Sequence, residues 1–269
     1  MLRSACSSFV LAMLLLAAAP THAFEVVPTE KPGEYLKWGP SKLAGTGGGR
    51  VTWGFVAAGT PGSDYCGKYC AGTSLDRLPN FYPSPRVDNK TLARTLSSLQ
   101  PIFQAAFDAW SAVADVQFQY VGIDESLKAV NDPSATSPMI RIGIWSHQGM
   151  AAYSCAAVAV PPGLNGGTAT GHVFLNANVG YQLSDAPENS RLQEFPAGGG
   201  LYMTDLTMLA LRETGHTIGL ADSASVDSVM ACGRVSATLE PMYLWRKLRA
   251  DDIAGARFLY GAPRRPVEH

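Results

Sequence analysis

Charge is scarce in this chain. Only 16% of its 269 residues are Asp, Glu, Lys or Arg, and the two signs nearly cancel at a formal net charge of -1. Such a balance leaves no basic stripe for a phosphate backbone or an anionic bilayer, so nucleic-acid binding is excluded as an expected function. Long apolar runs are missing too. The one at residues 9–19 falls short of the roughly 20 residues that a bilayer span needs, and no later stretch comes closer. No internal repeat is visible.

That short apolar run follows Arg3 and precedes Thr21-His22-Ala23, which is small at its first and third positions. This is the layout of a secretory signal peptide cut after Ala23, so residues 1–23 are set aside and a secreted or periplasmic protein, with no membrane attachment in the mature form, is expected. Cysteine is also sparse. Once Cys6 is lost with the leader, Cys66, Cys70, Cys155 and Cys232 remain. An even number in an exported chain favours disulfides, with three possible pairings. Cys66–Cys70 with Cys155–Cys232 is preferred, because the second bond would tie the segment after Met230 to an upstream strand. A cysteine metal site fits poorly with such wide separations.

Glycine and proline are abundant, 27 and 18 residues, mostly in long connections. Residues 24–49 read as an extended lead-in, residues 50–262 as one large or two-lobed domain, and residues 263–269 as a disordered tail. Within the domain, Val51, Trp53 and Phe55 alternate in a strand over 50–56. Residues 57–86 read as an insertion loop. Leu92, Leu96, Leu99, Phe103, Phe107, Trp110 and Val113 recur at helical steps from a plausible N-cap at Asn89. Pro101 interrupts them, so either a long helix kinks there or residues 102–113 form the principal helix. Strands are expected at 116–121, at 139–145 with Ile140, Ile142 and Ile144 inward, within 149–162, and at 170–176. A helix over 204–220 and a terminal helix over 249–260, with Asp251-Asp252 suited to its N-terminal dipole, complete the order. The pattern is that of an α+β fold with a smaller, irregular C-terminal part and a cleft between them.

Chemistry concentrates in the second helix and the turns after it. Arg212 and His216 are four residues apart and share one helical face, with Glu213 one step round and Gly219 placed to end the helix. Asp222 comes three residues later and Met230 eight beyond that. Helical spacing of two ligands, a turn, and a third ligand returning to the metal is the layout of a hydrolytic zinc site, where a glutamate beside the first ligand takes the proton of bound water.

These residues resemble the metzincin zinc endopeptidases, most closely the matrixin branch with its bacterial secreted members. The family pattern is H-E-x-x-H-x-x-G-x-x-H, or aspartate last in some bacterial members, with a Met-turn after it. Glu213, His216, Gly219 and Asp222 match the aspartate version, and Ser228-Val229-Met230 is similar to the Met-turn. Trp38-Gly39-Pro40 with Val51-Thr52-Trp53 is similar to the matrixin entry strand. Ile102-Phe103, Ala106-Phe107 and Trp110-Ser111 with Phe118 after them resemble its first helix and second strand. Asp251-Asp252-Ile253-x-Gly255 with Leu259-Tyr260-Gly261 is similar to its closing helix, and Pro241-Met242-Tyr243 to a wall of its specificity pocket. The resemblance implies a zincin-like catalytic domain with a twisted, mainly parallel sheet and long helices. It further implies a zinc cofactor held by His216 and Asp222, Glu213 as general base, Met230 as an apolar floor, and a protein or peptide substrate; a monomer is expected.

The chain departs from the pattern in three places. No cysteine precedes Cys66 in the mature chain, so the inhibitory pro-segment cysteine of many matrixins is absent. His147 and His172 stand near the family's structural-zinc histidines, but His147-Gln148-Gly149 lacks the aspartate partner, and exposed polar histidines are the expected reading. Most consequentially, Arg212 stands where the first ligand histidine belongs. A guanidinium stays protonated and only donates, so it cannot ligate a cation. Arg212 is therefore expected to fill the metal position itself, paired with Asp222 or with Glu213. The leading reading is a secreted matrixin-type zinc metalloendopeptidase with Arg212 in place of a ligand; the alternative is a non-catalytic pseudoprotease that binds peptide or a partner in the degenerate cleft, and the third is an exported structural domain. Trp145 and Trp245 are expected to be packing residues.

Overall fold

The computed structural model describes residues 23–62, 74–78, 81–82, 96–145, 156–164, 169–177, 179–183, 186–190, 203–231 and 243–264. Cys66, Cys70, Cys155, Cys232, His147, Pro241 and Met242 lie outside the described residues, and with them the disulfide expectation.

The strand expected over 50–56 is β1 (Gly49–Val56). It pairs in parallel with β3 (Val116–Asp124) on one side and β4 (Ile140–Trp145) on the other. Beyond β4 comes β6 (Gly171–Asn176), again parallel, and then β5 (Ala157–Val160), antiparallel, to make a five-stranded sheet in the order β3-β1-β4-β6-β5. A second, three-stranded sheet joins β2 (Phe81–Tyr82), β7 (Gly180–Gln182) and β8 (Met203–Asp205), all parallel. Strands this short carry too few residues for an alternating signal, so residues 57–86 read as loop in the sequence and β7 and β8 leave no trace there.

Pro101 settles between the two helical alternatives. A 3-10 turn over Leu96–Leu99 leads into α1 (Gln100–Ser111), and the proline sits in the first turn of the helix. Its missing N–H would have no intrahelical partner there, so it starts the helix rather than bending it. Phe103, Ala106, Phe107 and Trp110 form the buried stripe of α1. They meet β1 through its aromatic side chains, with Trp53 5.0 Å from the Phe107 ring and Phe55 6.0 Å from Phe103.

Every residue of β4 and of β6 is buried, on both faces. Ile140, Ile142 and Ile144 point into the main core as expected. On the opposite face Trp145 and Phe174 pack with Val56 and Val130 in a smaller apolar cluster. Arg141 shares that face and is wholly buried; its guanidinium donates to Asp124 at 2.5 Å, Ala129 O at 2.6 Å and Lys128 O at 2.8 Å. His172, opposite Arg141 in register, is also wholly buried and stacks on Phe174 at 3.7 Å between ring centres. The expectation of an exposed histidine is thus corrected: the loop after β3 covers this face, and burial with Arg141 beside it pushes His172 down to about 3.

The lead-in is irregular but packed. Val26 bridges Leu220, with Val27 N–H on Gly219 O at 2.9 Å and Ala221 N–H on Glu25 O at 2.9 Å. Trp38 is buried, and its indole N–H donates to Thr217 O at 2.9 Å. Lys37 is buried as well; its ammonium donates to Thr46 O at 2.7 Å and Thr46 Oγ1 at 3.0 Å, and lies 4.6 Å from the Tyr260 ring centre. The last helix is α3 (Ala250–Tyr260), closed by Gly261.

Candidate active site

The site is carried by α2 (Leu206–Thr217), which is set between α1 and the outer part of the large sheet. Asp205 caps its start by accepting the Met208 N–H at 2.8 Å and is itself paired with Arg246 at 3.1 Å. The Trp110 indole N–H of α1 donates to Leu211 O and Thr214 Oγ1, both at 3.1 Å, which fixes the rotation of α2 about its axis. Two glycines then allow close approaches. A Cβ on Gly215 would stand 2.5 Å from Met230 Sδ and 2.8 Å from Trp110, so only glycine lets the methionine seat beneath the helix. Gly219 has a φ of 99° and reverses the chain where a Cβ would meet Leu36 O at 2.2 Å.

That reversal brings Asp222 back beside α2. Its carboxylate oxygen Oδ1 receives the Arg212 Nη2–H and lies 3.7 Å from His216 Nε2. Of the two partners expected for Arg212, Asp222 is the one that takes the guanidinium. Arg212 Nη1 donates in turn to Ala231 O at 2.8 Å and more weakly to Val229 O at 3.4 Å. One side chain therefore joins the helix, the Asp222 turn and the Met-turn. The two turns also pair with each other, through a Ser223–Ala231 bridge and the Ser223 N–H on Met230 O at 2.7 Å. Met230 is buried below them.

His216 Nδ1–H donates to Leu220 O at 2.9 Å, since a carbonyl only accepts, and this leaves Nε2 with the lone pair facing Asp222. Burial, then the neighbouring guanidinium, lowers the pKa of His216 and keeps it neutral. Glu213 is 4% exposed, and burial pushes its carboxyl up to about 7, with Arg212 pulling the other way and Asp222 adding to the rise. A buried carboxyl poised near neutrality is suited to proton transfer where a reactant can reach it.

Sequence reasoning missed the supports. Asp251 and Asp252 read only as favourable charges at a helix start, yet each clamps part of the site. Asp252 is buried, accepts from Ser228 Oγ at 2.5 Å, from the Val229 N–H at 3.1 Å and from the Arg249 N–H at 2.7 Å, and so holds the Met-turn. Asp251 accepts the Ser223 hydroxyl at 2.6 Å and the N–H groups of Ala23 and Phe24 at 3.1 and 3.0 Å. The adjacent acidic pair is visible in the sequence; that its members face different turns is not.

A hydrolytic zinc centre requires three donors and one open position. Here one of the three positions holds five N–H donors and no acceptor, and the carboxylate meant for metal is occupied by that cation. Among the described residues no three His, Cys, Asp or Glu side chains are gathered to hold a metal ion. The residues present do not fit zinc at this place.

Comparison with known proteins gives the ancestry. Over 67 residues the chain is 42% identical to stromelysin-3 of Xenopus laevis, a match that takes in 24% of this chain and 12% of that longer protein. The matrixin family model matches residues 86–261, well over half of the chain, from ahead of α1 to the end of α3. Most of the large sheet, the two packed helices and the closing helix fall within that match, and the chain belongs to the matrixin family of zinc-dependent metallopeptidases.

Proposed function

We propose that this chain is an exported matrixin-fold protein that binds an extended peptide or a protein segment in its cleft and does not cleave it. The observation that carries this reading is the Arg212 guanidinium seated on Asp222 and on Ala231 O, where the family's arrangement calls for a ligand. A peptide would lie along β5: among the described residues it is the outermost strand of the large sheet and it packs against α2, and an extended chain can pair with the N–H and C=O groups of such an edge. Glu213 would stay behind that peptide as a buried, near-neutral carboxyl, and Met230 would floor the site without touching it.

Metalloendopeptidase activity is the second reading. Glu213, the lone pair of His216 Nε2, Asp222 and the Met230 floor are all retained, so a single histidine at position 212 would complete the donor set. Export, with cleavage after Ala23, and the Cys66–Cys70 and Cys155–Cys232 bonds belong to the same proposal. The test compares the mature protein with its Arg212→His variant for zinc content, proteolysis of a denatured protein, and binding of a fluorescent mixed-sequence peptide library in chelator. The expected result is a natural chain that carries no zinc, cleaves nothing and binds peptide in chelator. Stoichiometric zinc with turnover in the natural chain would overturn it.

A further inference from the structure

We propose that Arg212 takes over the structural work of a bound divalent ion at the junction of α2, the Asp222 turn and the Met-turn, so that the stability of this junction does not depend on metal. The guanidinium touches three separate segments: it belongs to α2, donates to the carboxylate of the Asp222 turn, and donates to two carbonyls of the Met-turn, Ala231 O at 2.8 Å and Val229 O at 3.4 Å. An ion held by a histidine at position 212, by His216 and by Asp222 would tie the first two of these segments. The tethered cation differs in one respect: it cannot dissociate, so the stability it adds does not vary with free metal concentration, whereas a bound ion stabilises by an amount that grows with its concentration over Kd. Nor would a divalent ion add itself to the site, because it would have to displace the guanidinium from Asp222 or sit against it, and like charges a few ångströms apart repel strongly in a partly buried setting.

The device is repeated elsewhere in the fold. Arg141 draws Asp124, Lys128 O and Ala129 O onto the rear face of the sheet. Lys37 sits among Trp38 O and Ser41 O at 3.3 Å each and Thr46 O at 2.7 Å, within the lead-in. Arg246 joins Asp205 at 3.1 Å to Ala186 O at 2.9 Å. These three loop junctions are thus closed by protein cations that gather loop oxygens. Chelation has nothing to remove at any of them. This inference stands whether or not the cleft binds peptide.

Thermal unfolding of the mature protein tests it, after exhaustive dialysis against EDTA and again with zinc chloride added, for the natural chain and for Arg212→His, Arg212→Lys and Arg212→Met. The natural chain is expected to melt at one temperature in both solutions. Arg212→Met is expected to melt lower and equally in both. Arg212→His is expected to regain a response to the ion, with a rise of roughly 5 °C or more once zinc exceeds its Kd a hundredfold. A midpoint that falls in EDTA or rises in zinc for the natural chain overturns the proposal, as does an Arg212→Met midpoint equal to that of the natural chain. Arg212→His that folds but ignores zinc overturns the claim that the guanidinium stands in the ion's place. Should Arg212→His not fold, Arg212→Lys decides: it keeps a tethered charge without the planar fork, and is expected to melt below the natural chain with no zinc response, while a zinc-induced rise there sinks the idea.

Discussion

Arg141–Asp124 and Arg212–Asp222 are built to one plan, an arginine that joins a carboxylate to two backbone carbonyls, but they lie at different depths. The first pair is 0% and 7% exposed, the second 18% and 48%. At the rear of the sheet no water can replace a lost partner, so the pair is an obligation of the fold. Burial works against ionisation of Asp124, yet hydrogen bonds from Ser126 and Arg141 together outweigh it and hold its carboxyl below the ordinary value. Beside α2 the pair is partly exposed, so water screens it and would hydrate either partner if the other were removed. The same chemistry is deeply buried in one place and partly hydrated in the other, and the partly hydrated copy is the one at the site.

Removing each arginine breaks the comparison most directly. Arg141→Met should cost roughly 3–5 kcal/mol in urea unfolding, because it strands a nearly buried carboxylate and two carbonyls. The loss should change little with salt, since buried pairs are weakly screened. Asp252→Asn is expected to come next, at roughly 2–4 kcal/mol, because it weakens the bonds from Ser228, Val229 and Arg249 that hold the Met-turn under the Arg212 pair. If it costs as little as a surface change, the Met-turn is held by something other than this carboxylate.

Glu213→Gln sharpens the contrast through pH. The folded state raises this carboxyl from 4.5 to about 7, so the contribution of Glu213 to stability is fully present below pH 4.5 and is lost as pH rises through 7. The glutamine variant should therefore match the natural chain near pH 4.5 and exceed it above pH 7, by about 3 kcal/mol on conversion of that shift. Equal stability at pH 8 would show that the carboxyl is hydrated in solution. The smallest effect is expected for Arg212→Met, about 1 kcal/mol at low salt and less in 1 M salt, as befits a half-exposed pair. A loss as large as that of Arg141→Met would erase the distinction between the two depths.

Much of the scaffold is legible in residues alone. The alternation of Val51, Trp53 and Phe55, the recurring Ile140, Ile142 and Ile144, and the stripe of Phe103, Phe107 and Trp110 each form the buried face they imply. Such patterns are readable because burial of apolar area acts locally on every second or every third and fourth residue. Other features carry no local periodicity. The small sheet of β2, β7 and β8 joins segments far apart in sequence. His172 reads as an ordinary polar residue and is wholly buried, because β6 lies inside the sheet between β4 and β5 and is buried on both faces. At the site, the spacing of Arg212, Glu213, His216, Gly219 and Asp222 implies a helix and a returning turn, and both are present. Gly215, Ser223, Asp251 and Asp252 give no such signal of their role, since their importance lies in partners they meet only after folding.

The amino-acid sequence by itself determined that a cation, and not a lone pair, would stand at position 212, because a guanidinium is charged at any pH a protein survives. It also determined which groups lie within a helical turn of that cation, since α-helical spacing is set by backbone geometry. Only the tertiary structure decided which carboxylate the cation would take. Asp222 and Glu213 are both near in sequence, but the reversal at Gly219 and the clamps from Asp251 and Asp252 bring the Asp222 turn to the guanidinium, while packing buries Glu213 and holds it close to neutral.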